Sequence, residues 1–241
     1  MSKTDNHNFT GVYREYFDEE QTKLKSEVFM NNGKREGIDK SYHKNGQVCE
    51  EVNYIDGKMN GIYKSYSYNG QLKEEVNYID GLKNGIEKSY WYGQLHREVN
   101  FIDGLKQGIF KSYRNNGKLK VQVNYIDEKE NGIYKLYHEN GQLNQEVNYI
   151  DGKREGIYKS YYDNGQLCRE VNYIDDKREG IYKSYHENGQ LEAEVNYIDG
   201  LKQGICKLYH YSGQLYQEVN YIDGEANGIE KSYHGNGQLC R

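Results

Sequence analysis

A repeat with a period of 24 residues is the feature that most constrains how this chain can fold. Each repeat begins at a glycine followed by isoleucine, or once by valine: Gly11, Gly37, Gly61, Gly85, Gly108, Gly132, Gly156, Gly180, Gly204 and Gly228. The spacing between these glycines is 26 residues after Gly11, 23 residues after Gly85 and 24 residues elsewhere. Such repetition makes contacts mainly between neighbouring repeats, so we expect an array and not a single globular core.

Each repeat predicts two strands and two turns. In the repeat that begins at Gly61, Ile62 to Tyr66 and Leu72 to Ile79 are rich in β-branched and aromatic residues, and Asn-Gly and Asp-Gly dipeptides follow them. The sequence therefore predicts an all-β fold: an elongated antiparallel β-meander of about twenty short strands, two per 24-residue repeat, with repeats about 10 Å apart.

The lengths of the turns follow from the apolar pattern. A two-residue turn at Asn-Gly would put the apolar residues of the two strands on opposite faces. A three-residue loop at Tyr68–Gly70, built as a type I turn with a G1 bulge, pairs Ile62 with Val76 and Tyr66 with Leu72. We predict this loop.

The same argument predicts a three-residue loop at Ile79, Asp80 and Gly81. One face of the sheet would then carry the isoleucine, lysine, tyrosine, leucine and valine of every repeat, and the other face would be more polar. The chain has 27 Tyr, no Pro, 35% hydrophobic residues and a mean hydropathy of −1.09. We therefore expect a thin, tyrosine-rich apolar layer.

The domain organisation follows from the regularity of the repeats. Residues 1–10 are polar and are expected to form a mobile tail. Residues 11–36 form a degenerate repeat that replaces Asn-Tyr-Ile-Asp with Phe-Met-Asn-Asn, as a capping repeat would. Residues 37–241 are the regular array, a single domain whose last repeat is truncated.

Charge and hydropathy exclude several classes of function. The net charge is −5 with a pI near 5.9, which argues against nucleic acid as a partner. There is no run of 18 apolar residues, and residues 1–10 lack the apolar segment of a signal peptide. The sequence is typical of a soluble intracellular protein of the cytoplasm.

No pattern indicates catalysis, a cofactor or a metal. Cys49, Cys168 and Cys240 share one repeat position but lie three or more repeats apart, so we expect free thiols. Histidines that follow the repeated tyrosine would lie about 10 Å apart, too far to share one ion. No nucleophile motif or phosphate loop occurs, so an enzyme is not expected.

Two ladders of side chains are candidates for function. The first is a candidate interaction surface of tyrosines, which core stacking alone would also explain: Tyr66, Tyr90, Tyr113, Tyr137, Tyr161, Tyr185 and Tyr209. The second is a candidate contact for anions: Lys64, Lys88, Lys111, Lys135, Lys159 and Lys183. The alternative for the lysines is pairing with carboxylates across the strands, with Glu74 as the partner of Lys64.

The repeat from Gly156 to Asp175, with its Tyr-x-x-Asn-Gly-Gln-Leu core, resembles the variant MORN (membrane occupation and recognition nexus) repeat found in bacteria and giant viruses. The resemblance implies an antiparallel sheet and a non-enzymatic scaffold for protein–protein interaction or self-association. The same variant occurs in bacterial antitoxin components of the YwqK type, which implies a small toxin as an alternative partner. A second alternative is peripheral attachment to membrane phospholipid through the lysines. A viral protein of this kind would lie in the virion or the host cytoplasm.

Overall fold

The computed structural model describes residues 9–240, and all of their regular structure is β-strand. The chain divides into two compact units, an N-terminal unit that ends at Gly117 and a C-terminal unit that begins at Lys118. Most of the predicted tail, residues 1–8, lies outside the described residues. The predicted domain bounds remain predictions.

The strands of the N-terminal unit follow one another as an antiparallel meander. Their bounds are Gly11–Tyr16, Leu24–Asn31, Lys34–Tyr42, Val48–Ile55, Lys58–Met59, Gly61–Tyr66, Leu72–Ile79, Leu82–Lys83, Gly85–Trp91, Gln94–Ile102 and Leu105–Tyr113.

The C-terminal unit has the same arrangement. Its strands are Leu119–Ile126, Lys129–Glu130, Gly132–Tyr137, Leu143–Ile150, Lys153–Arg154, Gly156–Tyr161, Leu167–Ile174, Lys177–Tyr185, Leu191–Ile198, Leu201–Tyr209, Leu215–Ile222, Glu225–Ala226 and Lys231–Ser232. The all-β antiparallel meander is therefore confirmed. Two-residue strands arise where an irregularity before the repeat's glycine splits a strand.

The first loop of the repeat has the predicted form. In the repeat that begins at Gly61, the Gly70 N–H donates to the Ser67 carbonyl at 2.8 Å, and the Ser67 N–H donates to the Gln71 carbonyl at 2.8 Å. Gly70 has a φ of 78°, in the left-handed region that the G1 bulge requires. Tyr66 pairs with Leu72, as predicted.

The predicted pairing of Ile62 with Val76 is wrong. The register shifts by one residue immediately after the Tyr66–Leu72 pair, because Lys73 is an extra residue in the second strand. Tyr63 therefore pairs with Val76, and Ile62 moves to the other face. Val76 is 1% exposed whereas Ile62 is 56% exposed.

The predicted three-residue loop at Ile79, Asp80 and Gly81 is also wrong. Ile79 pairs with Leu82, which leaves a two-residue turn of Asp80 and Gly81. Both turn residues have positive φ values, 51° and 86°, as a type I′ turn requires. This turn suits the hairpin because its twist matches that of the strands, and aspartate tolerates the left-handed conformation.

The sheet of each unit consequently has two distinct faces. The valine face carries the valine and the second tyrosine of the repeat, such as Val76 and Tyr78, together with Tyr63 and Ser65. The isoleucine face carries the positions of Ile62, Lys64, Tyr66, Leu72 and Glu75. The core lies on the valine face, where these valines are at most 6% exposed: Val28, Val52, Val76 and Val99 in one unit, and Val123, Val147, Val171 and Val195 in the other.

Candidate interaction surfaces

The isoleucine face of each unit exposes two rows of large apolar side chains. The first row is 52–60% exposed and consists of Ile38, Ile62, Ile86 and Ile109 in the N-terminal unit and Ile133, Ile157, Ile181 and Ile205 in the C-terminal unit. Each first-row isoleucine lies opposite an asparagine, and the second-row isoleucine follows that asparagine by two residues. The second row is 43–50% exposed and consists of Ile55, Ile79 and Ile102, and then Ile126, Ile150, Ile174, Ile198 and Ile222. Side chains that repeat in this way give each unit two exposed apolar rows.

The seven candidate tyrosines lie on the isoleucine face, and each is partly buried. Their hydroxyls donate to glutamates of the preceding strand in three repeats. Tyr113 donates to Glu98 at 2.6 Å, and Tyr185 donates to Glu170 at 3.0 Å. The third pair is Tyr161 and Glu146, at 3.2 Å.

These contacts change the ionisation of the tyrosines. Burial, followed by the hydrogen bond and the charge of the glutamate, raises the pKa of Tyr113 and of Tyr185 to about 12. The same causes raise the pKa of Tyr161. These three hydroxyls are thus neutral donors fixed by carboxylates, while the tyrosines themselves remain partly exposed.

The candidate lysines lie on the same face, where they alternate with glutamates. Lys64 is opposite Glu75 on one neighbouring strand and Glu51 on the other. Its Nζ lies 3.5 Å from the Glu75 carboxylate. The predicted pairing with Glu74 is wrong, because Glu74 is opposite Ser65 on the valine face.

The same alternation holds for the other lysines. Lys88, Lys111, Lys159 and Lys183 each have a glutamate opposite them, and Lys135 lies between Gln122 and Glu146. The lysines and the glutamates opposite them therefore form a stripe of mixed charge, and the surface is not a cationic one.

The valine face of the N-terminal unit contains an acidic cavity of about 190 Å³. Glu15, Asp39 and Glu50 line it with one cation, Arg35, whose Nη1 lies 2.6 Å from the Asp39 carboxylate. Burial raises the pKa of Asp39, while the charge of Arg35 opposes this shift and that of Glu50 adds to it.

An ion-pair network centred on a buried glutamate lies further along the same face. Glu87 is 2% exposed and pairs with Lys83 and with Arg97, the latter at 2.6 Å. Lys83 also lies 3.3 Å from Glu74. Burial by itself lowers the pKa of Lys83, but the hydrogen bond to Glu87 and the charge of Glu87 outweigh it and raise that pKa.

The valine face of the C-terminal unit contains a cavity of about 270 Å³ whose charge is opposite. Its walls include Arg154, Arg169 and Arg178 together with tyrosines. Sequence analysis missed these charged residues. A signal for the charged residues of both units exists in the sequence. All of them except Glu15 lie at three repeat positions, those of Tyr63, Glu74 and Lys83, whose residues differ from repeat to repeat while their neighbours stay constant.

The histidines and cysteines do not form a site. His43, His138 and His186 each place a ring nitrogen 2.8–3.0 Å from the backbone carbonyl of the repeated tyrosine in the next repeat. The four cysteines are free, as expected. Within residues 9–240, no group of three or more His, Cys, Asp or Glu is arranged to hold a metal, and no helix has the length and apolarity to cross a membrane.

This architecture defines a class of protein, the antiparallel β-repeat proteins. In this chain the register of each hairpin determines which repeat positions lie on each face of the sheet. The family model of the MORN repeat variant matches seven stretches of the chain: 35–56, 59–80, 106–127, 130–151, 154–175, 178–199 and 202–223. The stretches cover more than half of the sequence, and the chain belongs to the MORN repeat variant family. The gap between 80 and 106 contains most of the 23-residue repeat.

Comparison with solved structures finds distant similarity to large proteins. A TarM mutant of S. aureus is 11% identical, with a TM-score of 0.28 over 40% of this chain and 19% of TarM. The Photorhabdus luminescens Tc holotoxin pore is 13% identical, with a TM-score of 0.22 over 94% of this chain and 13% of that one. This chain thus spans less than a fifth of either protein. No curated protein matches it.

Proposed function

We propose that this protein is a non-enzymatic scaffold that associates with protein through its isoleucine face, and that a second copy of the chain is the partner this face fits. The observation that supports the proposal is the pair of half-exposed isoleucine rows. MORN repeats are in general interaction modules, and an exposed apolar surface of this extent is typical of a binding site.

Charge favours protein over lipid as the partner. An anionic membrane attracts a cationic patch, but each lysine of the candidate ladder has a glutamate opposite it on at least one neighbouring strand. Alternating charges beside apolar rows instead match a surface with the same alternation.

The period of the face favours a second copy. Lysine, glutamate and isoleucine recur once per repeat, about every 10 Å. A partner must carry complementary groups with the same period to contact every repeat. Another isoleucine face has that period, and in an antiparallel arrangement it can place glutamates against lysines and isoleucines against isoleucines.

The test is the oligomeric state of the full chain, measured by sedimentation equilibrium over a range of concentrations. We expect concentration-dependent dimers. The double variant Ile62→Lys and Ile157→Lys should remain folded, because both side chains are more than half exposed, and should weaken dimerisation at least tenfold, about 1.4 kcal/mol.

The matched control is Tyr92→Lys, which changes an 85% exposed aromatic residue in a turn and should leave the association constant unchanged. A chain that is monomeric at every concentration would refute the second copy as partner. Equal weakening by the control would refute the isoleucine face as the contact.

A further inference from the structure

We propose that the cavity on the valine face of the C-terminal unit is a binding site for a small soluble phosphate monoester. We call it the arginine cavity; it has a volume of about 270 Å³ and is lined by Arg154, Arg169, Arg178, Tyr158, Tyr173 and Tyr182, among others. It lies on the opposite face of the sheet from the isoleucine rows, so it is independent of the proposed function.

Two of the three guanidinium groups in the arginine cavity lack a carboxylate partner. Arg154 is compensated, because its Nε lies 2.8 Å from a carboxylate oxygen of Asp176. Arg178 donates to the Tyr197 hydroxyl at 3.0 Å and makes no ion pair within the described part of the chain. Arg169 is exposed, lies opposite Ser160 and Ser184, and likewise has no ion pair among residues 9–240.

Aromatic rings hold two of these arginines in place. The guanidinium carbon of Arg154 lies 4.1 Å from the centre of the Tyr173 ring, and that of Arg178 lies 5.2 Å from the Tyr197 ring and 5.7 Å from the Tyr182 ring. Tyr173 is itself packed edge-on against Tyr158. Guanidiniums fixed in this way lose little conformational freedom when a ligand binds.

The chemistry of the cavity selects the ligand. Guanidinium groups donate paired hydrogen bonds to phosphate or carboxylate oxygens, and two uncompensated positive charges match the dianion of a phosphate monoester. The tyrosine rings add an apolar wall for the group esterified to the phosphate. A volume of about 270 Å³ admits a small molecule and not a folded domain.

The N-terminal unit provides an internal comparison. The same face there forms a cavity of about 190 Å³ from mostly equivalent repeat positions, but Glu15, Asp39 and Glu50 accompany the single Arg35. The repeat therefore produces a cavity in either unit, and the residues at its variable positions decide the sign of the charge. A dianion is attracted to the arginine cavity and repelled from the acidic one.

The experiment is calorimetric titration of the full chain with phenyl phosphate at low salt. We expect binding of one phenyl phosphate per chain. Arg169→Gln combined with Arg178→Gln should weaken it by about tenfold or more, because each substitution removes a charge-assisted contact. Both side chains are exposed, so the double variant should keep the circular dichroism of the parent protein.

The control variant is Arg35→Gln, which removes an arginine from the acidic cavity and should leave the affinity unchanged. Failure of the parent protein to bind phenyl phosphate would overturn the proposal. An affinity that is the same in the double variant, or that falls equally in the control, would also overturn it.

Discussion

The strongest test of the register is to compare alanine substitutions at the two residues that it places on opposite faces. If Ile62 were opposite Val76, both side chains would pack in one layer and both substitutions would be costly. In the structure Val76 is 1% exposed and Ile62 is 56% exposed. We therefore predict that Val76→Ala destabilises the N-terminal unit substantially more than Ile62→Ala does.

The expected magnitudes follow from the buried atoms. Val76→Ala removes two buried carbons, worth about 0.8 kcal/mol each, and leaves a small cavity, so the free energy of unfolding should fall by about 2 kcal/mol. Ile62→Ala removes three carbons, but more than half of this side chain is already in water. Its cost should stay below about 1 kcal/mol, mainly from the lower strand propensity of alanine.

The measurement is equilibrium unfolding in urea, followed by circular dichroism, with an unchanged slope as the condition for comparing variants. Because repeat arrays can unfold in parts, amide hydrogen exchange in Gly61–Tyr66 and Leu72–Ile79 should report the same order locally. The equivalent pair in the C-terminal unit, Val147→Ala and Ile133→Ala, serves as a replicate. A loss for Ile62→Ala equal to or greater than that for Val76→Ala would refute the register.

Two further predictions concern the carboxylates on the two faces. Glu87→Gln should lower the free energy of unfolding by about 1–3 kcal/mol, because Lys83 and Arg97 lose their shared buried partner; unchanged urea unfolding would contradict this role. Glu98→Gln should move the pKa of Tyr113 part of the way from about 12 towards 10, since burial remains, and titration of the tyrosinate absorbance band would show it. The raised pKa of Tyr113 stabilises the folded state below pH 10, and this contribution is lost as the pH rises through about 12. In the Glu98→Gln variant the same contribution should be lost at a lower pH.

Local signals in the sequence predicted the first loop correctly, but they did not reveal the bulge that follows it. Asn-Gly with a left-handed glycine specifies the loop at Tyr68–Gly70. Nothing about Lys73 itself marks an extra residue, and the equivalent residues in other repeats include Cys49 and Tyr216. That variability fits a position outside the regular pairing, yet only the register shows it.

The error at the second turn has a different cause. Asp80-Gly81 is by itself a strong signal for a two-residue type I′ turn. The three-residue loop followed from the assumption that all apolar residues of the repeat share one face. That assumption fails because the structure leaves its isoleucines half exposed and buries its valines instead.

The predicted contacts of the candidate sites depended on the same assumption that all apolar residues share one face. The tyrosine and lysine ladders could be identified from the sequence because the residues recur once per repeat. The partners of these side chains could not be identified from the sequence. The register shift at Lys73 places Glu75 opposite Lys64, whereas a regular ladder would place Glu74 there. The charged cavities required the register too, since Arg154 and Arg178 share one repeat position, Arg169 lies at another, and the three meet only on the folded valine face.

The two faces therefore differ in how they could acquire function. On the isoleucine face, the isoleucine and lysine recur in nearly every repeat, so its contact area grows with each added repeat while its chemistry stays the same. On the valine face, the valine layer supplies the stability, and the variable positions beside it can change charge without altering the fold. A buried acid at Glu87, an acidic cavity near Asp39 and an arginine cavity near Arg169 all occur on this same framework. A uniform surface suits association along an array, whereas a site for one small ligand requires a local departure from the repeat, and the charged cavities of the valine face provide one.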